Sequence, residues 1–494
     1  MSTANRVRLS SVVETTAGTT PNTPRMRLVR INDERLTFAP QYIDSNELRS
    51  DRMTADPIKV QQAAGGSYTL EWSYPDADSP ESTDLESTFY ANWVNTPTFF
   101  NDGTADSVIT DAGTTTDTYA VVSGGASVVA GHLVQASGFT NAANNQIFRV
   151  ASSSATTIVG SSLSLTAEAA PPAAAKLKVV GFRGASGDVT ATTTGLASTA
   201  LNFTTLGLAV GMKVKIGGTA DATTFAFLVS AGATARANAW GRITAIAATA
   251  LTLDNLPVGW TTDAGTSKTI SVWFGDHIKN GVTQITMTKE IGFMDQTVPT
   301  YITNVGMTVN TNDISVTARQ VITSTIAWTG QGGGQSTTSL DASPDAATTG
   351  RVMAAHANVG RIGENGVTLI APNWARALTF QINNNQRTIE DIGSTSPVAV
   401  NPGECTVTGR IETYFGDNVM LQKLYVGTPT SISSRWQKDS QATIWDFPRV
   451  TFRGGDPQVT GKNTDVVLPL DFKAALDPLT SAHVLLDRII YYEA

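Results

Sequence analysis

The sequence predicts a mainly β protein: two tandem β-sandwich or barrel domains, each with a short helix, plus an insertion of two small β-domains. Three observations lead there. Charged residues make up 15% of the chain, against about 25% in ordinary soluble domains, and 42 glycines with many Thr, Ser and Ala fill the difference, as in a turn-rich β chain. Apolar and polar residues alternate in Ser315-Val-Thr-Ala-Arg-Gln-Val-Ile and Thr406-Val-Thr-Gly-Arg-Ile-Glu-Thr-Tyr, which puts one strand face on a core and leaves the other polar. Two sets of landmarks also recur along 494 residues, a length that exceeds one ordinary domain.

The first recurrence spans the two ends of the chain. Leu36-Thr-Phe38 leads through a polar loop to Gly65-Gly-Ser-Tyr-Thr-Leu-Glu-Trp72 and then to the helix-like stretch Leu85 to Trp93. In the same order, Leu378-Thr-Phe380 leads to Gly403-Glu-Cys-Thr-Val-Thr-Gly409 and then to Asn418-Val-Met-Leu-Gln-Lys-Leu-Tyr425. Further on, Tyr301 to Val309 and Asp313-Ile-Ser-Val-Thr-Ala echo Pro448 to Phe452 and Asp465-Val-Val-Leu-Pro-Leu. The first domain is therefore expected to be discontinuous, 1–118 with 276–330, and the second to cover 356–494. The stretch Gly330-Gln-Gly-Gly-Gly-Gln-Ser and the Asp/Ala/Thr run to Gly350 make 331–355 the expected linker.

The second recurrence lies inside the insertion. Residues 119–275 hold nine Lys/Arg and five Asp/Glu, so the remainder of this −8 chain carries a net −12. Val129-Ala-Gly131-His-Leu-Val134 returns as Val210-Gly211-Met-Lys-Val214, each an alternating strand opening at a glycine turn. Phe148-Arg-Val150 with Ser-Ala155-Thr-Thr-Ile158 returns as Gly241-Arg-Ile243 with Ala-Ala248-Thr-Ala-Leu251, and Val179-Val-Gly-Phe182 as Val272-Trp-Phe274. The repeats are assigned to 119–190 and 191–275. The second carries an extra Thr/Ala-rich stretch, Thr223 to Asn238, expected as an extended hairpin or loop.

Catalytic and metal chemistry finds no scaffold. Cys405 is the only cysteine, so no disulfide, Cys-based zinc site or redox pair can form within the chain. His132, His277, His356 and His483 are scattered outside any ligand spacing and read as ordinary surface or interface residues. The glycines at 330–334 lack the Gly-Lys-Ser/Thr of a phosphate loop, and no Gly-x-Ser-x-Gly elbow is present. The acid pairs Asp33-Glu34, Asp76-Ala-Asp78 and Glu390-Asp391 read as solvated loops. No catalytic, cofactor-binding or metal residue is assigned, and the expectation is that the protein is not an enzyme and needs no cofactor. A sequence pI near 5.1 has the wrong sign for stable DNA or RNA binding. No apolar run of 18 residues and no signal-like N-terminus occur, so a soluble chain made in a cytoplasm, without membrane contact, is expected. Arg49, Asp51 and Arg52, in a long polar loop between strands, suit a subunit contact, with a self-solvating loop as the alternative. Trp72, Tyr74, Phe89, Tyr90 and Trp93 are expected mostly in the core.

Asn5-Arg-Val-Arg-Leu with Glu14-Thr-Thr-Ala-Gly-Thr-Thr-Pro21, Ser45-Asn-Glu-Leu-Arg-Ser-Asp-Arg52 and Gly65-Gly-Ser-Tyr-Thr-Leu-Glu resemble the tail tube proteins (major tail proteins) of long-tailed bacteriophages. Lys289-Glu-Ile-Gly-Phe-Met, Val305-Gly-Met-Thr-Val-Asn and Val459-Thr-Gly-Lys-Asn-Thr-Asp-Val are similar to the same family. The resemblance implies two tail-tube-like β-sandwiches whose sheets join between neighbours into an inner barrel around a DNA channel, and rings that stack into a tube. It implies a structural virion protein, assembled in the host cytoplasm with other phage tail proteins, through which DNA passes to the host without specific binding. Long loops that hold successive rings together would suit Glu34 to Gln62, and with it Arg49, Asp51 and Arg52. Two tube-like halves per chain suggest a trimeric ring of pseudo-sixfold symmetry, with a hexamer as the competing arithmetic. An acidic bore and outward-facing inserted domains are further expectations. A carbohydrate-binding or adhesin-like surface module of a virion, stacking sugars on Trp240, Trp260 and Trp273, is the alternative reading.

Overall fold

Alternation in sequence becomes pairing in space. The computed structural model describes residues 3–101, 108–459 and 461–491. One run of antiparallel strands joins the two halves of the chain. Asp33–Glu34 pairs with Gly65–Glu71, followed by Thr323–Thr329, the second half of Thr300–Thr317, Ala375–Asn383, Thr406–Tyr414, Val467–Ala474 and the end of Gln441–Gly454. On one face Ile314, Ile326, Leu378, Phe380, Ile411, Leu470 and Phe472 are buried. The opposite, polar face is hollowed into an open concavity of about 630 Å³ floored by Ser315, Thr323, Thr325, Thr379, Gln381 and Thr408.

The two longest strands each change partners midway, and this builds a second layer behind the first. Thr300–Thr317 begins between Met287–Phe293 and Gly332–Ser336 before it enters the concave sheet. Gln441–Gly454 begins between Thr430–Lys438 and Leu485–Ile490 before it does the same. Val7–Val13 flanks Met287–Phe293 as Val359–Glu364 flanks Thr430–Lys438. Helices Pro80–Phe89 and Val419–Val426 occupy the same place in the two orders. The halves therefore repeat element by element.

Two expectations are corrected by these pairings. Asp313 continues the strand that starts at Thr300, so the counterpart of Val467–Ala474 is Thr323–Thr329. The glycines at 332–334 are not linker but part of the strand Gly332–Ser336, because a Cβ on Gly333 would lie 2.2 Å from the Thr303 carbonyl oxygen and only glycine permits that approach. The first helix starts earlier than the apolar run suggests. The Ser79 hydroxyl accepts the Ser82 N–H at 3.2 Å and Pro80 occupies the first turn, while Tyr90 closes the helix at φ 52°.

The inserted segment forms its own sheets and its own core. His132–Ser137 lies between Ile147–Ser153 and Lys176–Arg183, as Lys213–Ile216 lies between Trp240–Ile246 and Ser271–Trp273. Gly131 and Gly211 open the equivalent strands at φ 94° and 99°, which a side chain would resist. Thr98–Phe100 and Ile109–Ala112 already pair within these sheets, ahead of Tyr119. The stretch expected as a hairpin or loop instead holds two short helices, Ala226–Ser230 and Ala233–Ala237. Its Ala, Phe and Leu residues lack strand alternation, and Phe225 and Leu228 anchor it in the core.

The insertion is welded to the second half rather than tethered to it. Leu133, Val180, Trp240 and Trp273 pack against Ala442, Ile444, Ile489 and Tyr491. Buried ion pairs cross or border this seam. Lys213 Nζ lies 3.2 Å from Asp446, Arg242 3.3 Å from Asp446, and Asp276 holds Lys178 at 2.6 Å and Arg488 at 2.7 Å. The insertion thus covers one face of the layer that contains Trp445 and Leu486, whose other face packs on the second-half core.

His132 and His277, expected as ordinary surface or interface residues, are both buried. His277 Nδ1 sits 2.7 Å from the Asp487 carboxylate. His132 Nδ1 accepts the Val129 N–H at 3.1 Å, which leaves Nε2–H to donate to the Leu206 carbonyl at 3.3 Å, a neutral ring. Burial depresses its pKa from 6.5 to about 4. The unfolded chain takes up that proton first, so this contribution to stability is complete above about pH 6.5 and is lost as pH falls toward 4, by up to about 1.4 kcal/mol per unit. Urea unfolding between pH 7 and 4.5 should show that loss, with a flatter profile in His132→Gln.

Candidate assembly surfaces

The halves of the chain meet in a continuous antiparallel strand joint. Thr311 to Thr317 of one half pair with Asn383 to Ala377 of the other. Behind that pairing Trp72 meets Trp436 edge-on with centroids 5.0 Å apart, and Phe89 stacks on Trp445 at 5.7 Å. The Trp72 indole N–H donates to Thr443 at 3.3 Å. Asn384 donates to the Thr88 and Val309 carbonyls at 3.1 and 2.9 Å, and Gln386 donates to the Tyr90 hydroxyl at 2.8 Å. Alternation found these strands. Nothing in the sequence singled out Asn384, Gln386, Trp436 or Trp445, since contacts between distant segments leave no local period.

The repeat of halves leaves two sheet edges open, at opposite ends of the same sheet. Among the described residues, 451–454 pair only with Val467–Ala474, and 33–37 pair only with Gly65–Glu71. These are the edges that correspond to the two partners of the internal joint. The first-half edge is blunted by its own side chain, because the Glu34 carboxylate accepts the Leu36 N–H at 2.5 Å. Partial burial raises the Glu34 pKa, the Leu36 hydrogen bond lowers it, and neighbouring Asp33 adds to the rise, which prevails.

The concave face is not acid-lined. Asp313 and Asp471 share its floor with Arg410, Arg453 and Lys473. Glu71 and Glu412 stand in register beside it, and Arg410 lies 3.8 Å from both Glu412 and Asp471. This face is rich in Thr and Ser, with balanced charge.

Arg49, Asp51 and Arg52 lie in the loop of an exposed hairpin, Pro40–Ile43 with Ile58–Gln62. Arg49 binds Asp51 through two hydrogen bonds of 2.9 and 2.5 Å and Glu47 at 3.1 Å, which holds the Asp51 carboxyl below its usual range. Arg52 turns the chain at φ 59°. Gln61 and Gln62 tie the hairpin to a shorter hairpin of the second half, Arg387–Ile389 with Ala399–Asn401, through Glu390 and Thr395 of its loop. No cluster of His, Cys, Asp or Glu able to hold a metal ion occurs among the described residues. Cys405 is half-buried, and its thiol is pushed up to about 11.

The model of the family described as phage tail tube protein matches the sequence twice, over residues 4–254 and 244–474. The chain belongs to the phage tail tube protein family. The double match shows two tandem tail-tube-like repeats, and its two spans meet at 244–254, inside the inserted segment. Membership makes this chain a structural component of the virion tail that assembles with itself and other tail proteins into a tube. No curated protein matches the sequence. No helix among the described residues is long and apolar enough to cross a membrane. The sugar-stacking alternative loses its surface, since Trp240 and Trp273 are buried in the seam and Trp260 packs against Phe225 and Phe227.

Proposed function

We propose that three copies of this chain close a pseudo-sixfold ring and that such rings stack into the tube through which phage DNA is ejected. The observation that carries this reading is the internal joint between halves, together with the two open edges that match its partners. Each half fills one of six positions, so residues 451–454 of one copy receive residues 33–37 of the next, and the third copy closes the ring without a free edge. The concave Thr/Ser-rich face lines the bore. Its cations are matched by nearby carboxylates, so a passing phosphate backbone meets no cationic excess on which to stick.

The domain division that accompanies this reading places a discontinuous first tube unit around two inserted β-units, ahead of a second tube unit. The insertion packs on the side of the sandwich away from the concave face and stands on the outer wall. The hairpin loop with Arg49, Asp51 and Arg52 reaches toward the adjacent ring, where its internal ion pairs can be exchanged for contacts between copies. The role is structural rather than enzymatic, and assembly takes place in the host cytoplasm.

Negative-stain electron microscopy of the purified chain at rising concentration tests the proposal. Rings and hollow tubes with threefold averages are expected. Sixfold averages would replace the trimer while keeping the tube. A chain that stays monomeric even when seeded with tail initiator proteins would overturn both.

A further inference from the structure

We propose that the exposed apolar end of the Val419–Val426 helix is a lateral docking surface for the base of the Pro40–Ile43/Ile58–Gln62 hairpin of a second copy of this chain. The inference rests on the ring reading above and adds a specific pair of surfaces to it.

The two helices hold equivalent places in the halves but have opposite surroundings. In Pro80–Phe89 even the polar Ser82, Asp84, Ser87 and Thr88 are buried. Its C-terminal end is covered by the second half: Gln386 reaches the Tyr90 hydroxyl and Asn384 the Thr88 carbonyl. Both lie just ahead of the hairpin Arg387–Ile389/Ala399–Asn401, whose Val400 is buried and accepts the Gln284 amide N–H at 2.9 Å. Within one chain, then, the hairpin base of the second half sits on the helix end of the first.

Among the described residues the Val419–Val426 helix has no such cover, and its Tyr425 hydroxyl only donates to the exposed Asp456 at 3.2 Å. Its sequence, Val-Met-Leu-Gln-Lys-Leu-Tyr-Val, is apolar on most sides, yet Met420 alone is buried, while Tyr425 is 69% and Val426 77% exposed. An apolar helix end in water marks a contact not yet made. The first-half hairpin poses the matching question, with Tyr42, Ile43 and Ile58 each more than half exposed. Repeating the internal relation one step further around the ring brings that hairpin base onto Tyr425 and Val426 of the neighbouring copy. Two bare patches on the single chain thereby cover each other, beside the strand edge that joins the same two copies.

Cysteine pairs in the full-length chain test this in a Cys405→Ser background. Ile43→Cys with Val426→Cys and Ile58→Cys with Val426→Cys are oxidised under conditions where rings or tubes form, and read on a non-reducing denaturing gel. Dimer and trimer bands are expected from at least one pair and from none of the single-cysteine chains. Independently, Val426→Asp should raise the concentration needed for assembly at least tenfold with an unchanged thermal melt, and adding Ile43→Lys or Ile58→Lys should recover most of the loss. Rings that form while neither pair cross-links and Val426→Asp assembles like the parent would overturn this surface and leave the ring reading standing. A parental chain that never forms rings would remove the ring reading first and this surface with it.

Discussion

Excision of residues 98–273, with the stubs rejoined by a short Gly-Ser bridge, should leave no stable soluble tube unit. The neck itself would tolerate the cut, because the backbones of Val94 and His277 are hydrogen-bonded to each other at 2.8 and 3.0 Å, so the ends are already close. What cannot be tolerated is the exposed seam. Ile444, Ile489 and Tyr491 would pass from full burial to water, at a cost of about 1.5–3 kcal/mol each. That sum is comparable to the whole stability of many domains, about 5–15 kcal/mol. The bare face would also be an aggregation surface. Size-exclusion chromatography and thermal melting decide the matter: a monodisperse product melting within a few degrees of the parent would show that the insertion is dispensable decoration.

Asp276→Ala should destabilise the protein by about 3–5 kcal/mol, the largest effect expected of a single substitution. Asp276 is fully buried and is the shared counter-ion of Lys178 and Arg488. It also accepts the Thr96 N–H at 2.8 Å and hydroxyl at 3.1 Å. Removing it leaves two buried cations facing each other. Burial pushes the Asp276 carboxyl up, but Lys178 and Arg488 outweigh that and hold it below its ordinary value. Its contribution is accordingly present above the unfolded-chain pKa of about 3.9 and is lost only as pH falls further, through the folded value. Chemical denaturation at pH 7 should therefore show the full effect, and a second change, Lys178→Met, should return part of it by removing one stranded charge. A loss under 1 kcal/mol in Asp276→Ala would mean that water enters the seam and replaces the carboxylate.

Several parts of this architecture were legible in the sequence, for a common physical reason. Strands such as Thr406–Tyr414 and Ala375–Asn383 bury one face only, and that writes a period of two into the sequence. Gly131 and Gly211 announce their turns because their positive φ excludes other residues. What could not be read depends on partners far along the chain. Gly332–Ser336 has a linker's composition and becomes a strand only because Thr300–Thr317 offers it an edge at close range. His132 and His277 look like surface residues until their acceptors, Leu206 and Asp487, are brought to them by the fold. The ion pair Arg49–Asp51 within its loop follows from opposed charges two residues apart, whereas the joint around Trp72, Trp436 and Trp445 looks like any other core. The bare end of Val419–Val426 had a faint signal, an apolar helix lacking a polar stripe, which on its own points equally to deeper burial.

Because the insertion interrupts only the first half, a ring of three such chains would be two objects at once. Its bore would repeat six times per turn, near enough to a sixfold pipe for DNA to meet one uniform wall. Its exterior would repeat three times, with a raised module over every second position and bare wall between. Any sheath, receptor or decorating protein that approached from outside would count three docking stations per ring. The tandem chain would thereby uncouple the symmetry of the conduit from the symmetry of its coat.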